Sequence, residues 1–192
     1  MVPALIGLIL TFIGTIITSI GLVKERAAGT LEQLAVMPPL RPVDVIVGKI
    51  APYFLLAALD MAVVTVLGMV IFGGVPFTGN VALFVLAGGA IFLFVVLGIG
   101  VFISTVSQNA GQAIQAAILV LLPQILLSGI IFPLDAMPLG VRWIGYCLPL
   151  TYFTQVSQGL MLRGAGIDSL WLPIVVLTAM AALVFGAAVW RF

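Results

Sequence analysis

Long apolar stretches alternate along the chain with short breaks of glycine, proline or polar residues. Runs long enough to cross a bilayer fall at about residues 2–23, 50–73, 81–104, 111–131 and 170–190, and one helical crossing needs about 20 such residues. Between the first two lies "KERAAGTLEQLAVMPPLRPVDVIVGK", residues 24–49, which gathers Lys24, Glu25, Arg26, Glu32, Arg41, Asp44 and Lys49. Residues 61–134, by contrast, contain no charge at all. Within lipid the backbone must satisfy its own hydrogen bonds, which only helices and closed barrels achieve. The ten-residue alternation of a barrel strand is missing, so the pattern predicts an all-α, polytopic membrane protein with five spans, forming one transmembrane domain over residues 1–192.

Residues 132–169 do not fit the simple alternation. They are apolar and aromatic, yet Pro133, Pro138 and Pro149 interrupt them. The pieces between these breaks, roughly 138–147 and 150–163, are too short to cross as ordinary spans. Trp143, Tyr146, Tyr152 and Phe153 suit the headgroup level. An external interfacial or re-entrant helical segment before the last span is therefore expected; the alternative, one irregular sixth crossing, would put the C-terminus outside.

Charge fixes the expected orientation. Lys24, Arg26, Arg41 and Lys49 follow the first span and Arg191 closes the chain, whereas the breaks near residues 74–80 and 105–110 carry no basic residue. Basic loops stay in the cytoplasm, so segment 24–49 and the C-terminus are expected inside and the N-terminus outside, with Arg142 and Arg163 against the bias. The expected location is the cytoplasmic (inner) membrane of a bacterium or archaeon.

Composition narrows the function classes. Apolar residues make up 64% of the chain and charged ones 7%, far from soluble domains. With one cysteine, Cys147, and no histidine, neither an internal disulfide nor a Cys/His metal site is expected. An intramembrane enzyme lacks a histidine, a Gly-x-Ser-Gly string and a second intramembrane acid. Gly48-Lys49 is followed by Ile50 and lacks the earlier glycine of a phosphate-binding loop. Any ATP-derived energy must come from a partner, and nothing points to nucleic acid.

A few polar positions inside the spans are candidates for function. Asp60 lies about 15 Å into its span, counted from Ile50 at ~1.5 Å per residue, where an ionised side chain costs on the order of 2.5–3.5 kcal/mol. It is read either as a hydrogen-bonded packing or pathway residue or as the ion site of a secondary transporter. Gly7, Thr11, Gly14, Thr18 and Gly21 form one stripe of small or hydroxyl side chains, the means by which membrane helices approach closely. Gln112 and Gln115, with Gln108, share a face at the start of the fourth span, and Gln124 lies deeper with Ser128; these either line a cavity or bond to neighbouring helices. Pro52 and Pro123 are expected to kink their spans.

Within segment 24–49, Thr30 and Gln33 have the spacing of a capping box, and Pro38 and Pro39 stop the short helix that follows. Pro42 then starts a second helix feeding the next span. From the residues alone, the segment is either a solvated topological loop or a helix resting on a groove.

The string "ERAAGTLEQLAVMPPLRPVDVIVGK" resembles the signature between two spans in permease subunits of type-2 ATP-binding-cassette exporters. "SGIIFPLDAMP", residues 128–138, and "LPLTYFTQVSQGLMLRGAG", residues 148–166, resemble that family's segment before its last crossing, in the same order. The resemblance implies a permease of multidrug or lipid-export type that pairs with a second permease half, as a homo- or heterodimer, and with ATPase subunits that use ATP and magnesium, this chain binding no cofactor itself. It implies a coupling helix docking on the ATPase through Glu25, Arg26, Gly29, Thr30, Leu31, Glu32 and Gln33. It also implies a gating or lipid-bending role for the external segment that holds Pro133, Pro138, Trp143 and Tyr152. The family has six spans, and this chain looks to begin at the second. A non-transporting assembly partner is the remaining alternative.

Overall fold

The computed structural model describes residues 2–28, 42–71, 88–162 and 167–191. Among these residues seven α-helices follow in order and no strand occurs: α1 Val2–Ala27, α2 Pro42–Ile71, α3 Ile91–Val106, α4 Ala110–Leu127, α5 Leu139–Tyr146, α6 Pro149–Leu162 and α7 Ile167–Arg191. Among the described residues five helical stretches are long and apolar enough to cross a membrane: Ala4–Ala27, Ile50–Leu67, Gly88–Val106 (α3 with the turn before it), Ala110–Leu127 and Leu170–Ala188.

α2 begins on Pro42, whose fixed φ suits a first helical position and whose missing N–H is no loss there. At about 1.5 Å per residue its 30 residues exceed the ~30 Å hydrocarbon layer. The helix is thus longer than a single crossing needs, and its apolar stretch Ile50–Leu67 begins about two turns after Pro42. At the next tight connection, Asn109 caps α4: its Oδ1 accepts from the Gln112 amide at 2.8 Å, and Gln112 Oε1 in turn accepts from the Gln108 amide at 2.8 Å. α4 runs through Pro123 to Ser128, where Gly129 at φ +85° turns the chain.

α1 and α3 make the centre of the bundle and pack against each other more extensively than any other pair, while α2, α4, α6 and α7 surround them. Glycine and hydroxyl residues allow this closeness: Gly100 of α3 lies against the side chain of Thr18 and the backbone of Thr15. Ile6, Leu10, Phe92, Leu93, Val96 and Leu97 fill the centre. α2, α4 and α7 turn Leu55, Leu119 and Leu183 outward, each more than two-thirds exposed. Such outward apolar faces suit a helix bounded by lipid or by another membrane chain.

The segment before the last span folds as α5 and α6 with a 3-10 turn at Leu134–Ala136. α6 does not lie on the surface. Leu150, Phe153, Val156 and Leu160 are fully buried along one face, and α6 packs against both α1 and α7. Tyr152 and Phe153 are therefore buried between helices rather than turned outward. Phe153 stacks on Phe92 with centroids 4.2 Å apart, and buried Tyr152 sends its hydroxyl to the Tyr146 carbonyl at 2.7 Å. Aromatic content suggested the interface, but the spacing 150, 153, 156, 160 is that of a buried stripe. Trp143, at 71% exposed, remains on the outside, as do Pro133 and Pro138. Arg142 lies beside Asp135 at 2.9 Å and donates to the Tyr146 hydroxyl at 3.0 Å.

Candidate functional site

Of the residues expected to meet an ATPase, Glu25 and Arg26 are described, at the last turn of α1; Gly29, Thr30, Leu31, Glu32 and Gln33 lie outside the described residues. Arg26 is exposed. Glu25 accepts a long hydrogen bond, 3.5 Å, from the Tyr53 hydroxyl of α2. The same ring presses on Gly21, where a Cβ would collide with the Tyr53 hydroxyl. One tyrosine thus touches α1 at two successive turns and sets how α1 and α2 leave the bundle on either side of segment 24–49. The latch was not foreseen from the sequence; its only trace is the small residue Gly21 one helical turn before Glu25.

The small-residue stripe of α1 meets three different helices. Gly7 faces Phe153 and Leu150 of α6, Gly14 faces Val96 of α3, and Gly21 faces Tyr53 of α2. Thr11 and Thr18 between them are fully buried. Thr11 bonds back to the Gly7 carbonyl at 2.6 Å.

The polar residues of the spans fall into two groups. Gln112 is exposed and occupied with capping α4, and Gln115 is exposed on the same helix. Gln124 is 1% exposed, and neither its Oε1 nor the Ser128 hydroxyl has a hydrogen-bond partner among the described residues. Gln124 borders an apolar cavity of about 490 Å³ with Val120, Tyr146, Cys147, Leu148 and Met180, between α4, α7 and the α5–α6 turn. Asp60 borders a separate cavity of about 190 Å³ between α1, α2 and α3. Its Oδ2, the hydroxyls of Thr15 and Thr18, and that of Thr65 also lack partners among the described residues. No group of His, Cys, Asp and Glu able to hold a metal ion occurs among those residues.

Among the described residues, five apolar helical spans and a helical hairpin folded back before the last of them, with a charged sequence segment between the first two, make the layout of a membrane permease domain. Residues 1–190 match the family described as "ABC-2 family transporter protein", and the chain belongs to that family. It is 34% identical over 183 residues to "Inner membrane transport permease YhhJ" of Escherichia coli (strain K12), covering 95% of this chain and 48% of that protein. It is 32% identical over 182 residues to "Probable multidrug ABC transporter permease YbhR" of the same organism, covering 93% and 49%. The likeness extends to "ABC transporter G family member 20" of Dictyostelium discoideum, 29% identical over 188 residues, covering 96% and 25%. The chain spans about half the length of the bacterial relatives it matches. It is an integral membrane protein.

Proposed function

We propose that this chain supplies the membrane-spanning part of a permease subunit that exports a hydrophobic or amphipathic compound, driven by ATP and magnesium on separate ATPase subunits. The observation that carries this reading is the family match over residues 1–190, joined to relatives whose names describe transport permeases. Segment 24–49 is the ATPase contact, through Glu25, Arg26, Gly29, Thr30, Leu31, Glu32 and Gln33. The Tyr53 latch onto Glu25 and Gly21 supports it, because a push on the segment needs a stiff base to move helices rather than bend a loop.

The outward apolar face of α4, with Ile118, Leu119 and Leu122 exposed, suits a second permease half packed there. The apolar cavity beside Gln124 suits cargo with little charge: one amide orients it and hydrophobic walls hold it. Segment 24–49 and the C-terminus face the cytoplasm and the N-terminus the outside, on the balance of Lys24, Arg26, Arg41, Lys49 and Arg191. Arg142 and Arg163 run against this balance, two basic residues against five.

The test is vectorial movement of candidate lipophilic compounds in vesicles holding the whole permease, with and without the ATPase. Movement that requires the ATPase and ATP is expected. Movement driven by an ion gradient without ATPase would contradict the proposal.

A further inference from the structure

The cavity of about 190 Å³ between α1, α2 and α3 lies apart from the cavity beside Gln124 and has no described lining residue in segment 24–49. Thr18, Tyr53, Leu56, Ala57, Asp60 and Leu97 line it. Two of its polar atoms are buried without a hydrogen-bond partner among the described residues: Asp60 Oδ2 and Thr18 Oγ1. Thr18 is fully buried, and its state is informative. The neighbouring Thr11 and Ser19 hydroxyls bond to carbonyls of their own helix, at 2.6 and 3.1 Å, which is how hydroxyls are ordinarily accommodated inside lipid. Thr18 makes no such bond and borders the cavity instead.

Asp60 is itself partly exposed, but a buried carboxyl oxygen and a buried hydroxyl without partners are costly and call for an occupant. The space is several times the roughly 30 Å³ of a water molecule, and most of its wall is hydrocarbon, so water alone suits it poorly. None of the lining residues is basic, so the wall of the cavity offers Asp60 no counter-ion. An occupant with an apolar body and one cationic N–H group satisfies the whole wall: the ammonium pairs with Asp60 and donates to Thr18, the Tyr53 ring offers a face to the cation, and the body packs on Leu97 and Ala57. Leu56, 57% exposed, stands at the mouth, through which a longer tail reaches the outer surface of the bundle.

We propose that this cavity is a binding site for small lipophilic amines, with Asp60 as counter-ion and Thr18 as hydrogen-bond acceptor. The proposal concerns binding and stands whether or not the amine is cargo. Equilibrium dialysis of radiolabelled 2-phenylethylamine against the whole permease in phosphatidylcholine nanodiscs, with empty nanodiscs as reference, tests it. Saturable binding is expected, at least about tenfold weaker for Asp60→Asn, about threefold weaker for Thr18→Val, and at least about tenfold weaker for the uncharged probe 2-phenylethanol, as befits a desolvated ion pair. Leu56→Trp, a change at the exposed mouth that spares the buried wall, is expected to abolish binding, which keeps the test decisive if Asp60→Asn fails to fold. Absence of saturable binding, equal binding of the two probes, or undiminished binding by folded Asp60→Asn or Leu56→Trp would overturn the proposal.

Discussion

Replacing Gly7 by leucine is expected to loosen α6 from α1 and to destabilise the folded chain by about 1–3 kcal/mol, the usual cost of overpacking. A Cβ at Gly7 would stand 2.5 Å from the Phe153 ring and 2.9 Å from Leu150, and neither can retreat. Phe153 is wedged against Phe92, and Leu150 is fully buried. Inside lipid no hydrophobic drive holds α6 in place, only close packing, so loss of fit is felt directly. The measurement is unfolding in mixed micelles by a denaturing detergent. Gly186→Leu is the control: nothing lies within 4 Å of that position, and a change within about 0.5 kcal/mol is expected there. Equal effects at Gly7 and Gly186 would mean that α6 is not seated on α1 as described.

The second large effect is expected at the proposed ATPase contact. Glu32→Ala combined with Gly29→Leu is expected to weaken co-purification of the ATPase by about thirtyfold or more, since truncating one partner of a buried charge pair at an interface costs on the order of 2–5 kcal/mol. Stability of the membrane domain should be unchanged, because neither residue belongs to a span. Gly21→Leu makes the complementary case. It forces Tyr53 off α1 at the base of the segment, so the ATPase should still bind while ATP-driven transport falls. Unchanged association in the double variant would remove residues 29–33 from the contact.

The contrast between these two sites marks what could be read in the sequence. Length and hydropathy located the spans, because a bilayer demands about 20 apolar residues whatever else they do. The spacing of Gly7, Thr11, Gly14, Thr18 and Gly21 placed them on one face of α1. That face could not reveal its partners, which prove to be α6, α3 and α2 in turn. In water an apolar stripe points to the core; in lipid the outside is as apolar as the inside, and inward and outward faces read alike. Tyr152 and Phe153 show the consequence, since aromatic content alone did not tell whether they face lipid or a neighbouring helix, and both are buried. Gln112 shows a different confusion: an amide near a span entrance has the same spacing whether it lines a path or caps a helix, and no local pattern reported the bond it accepts from the Gln108 amide. The Tyr53 latch joins residues 28 positions apart, a separation that no local pattern reports.

The most direct measurement is the sidedness of Thr30. With Cys147, the one native cysteine, replaced by serine and Thr30 by cysteine, a membrane-impermeant maleimide is applied to intact cells and to inverted membrane vesicles. Labelling is expected in inverted vesicles only, with protection there when the ATPase is bound. Labelling of intact cells would place segment 24–49 outside, where no ATPase could reach it, and would contradict the account.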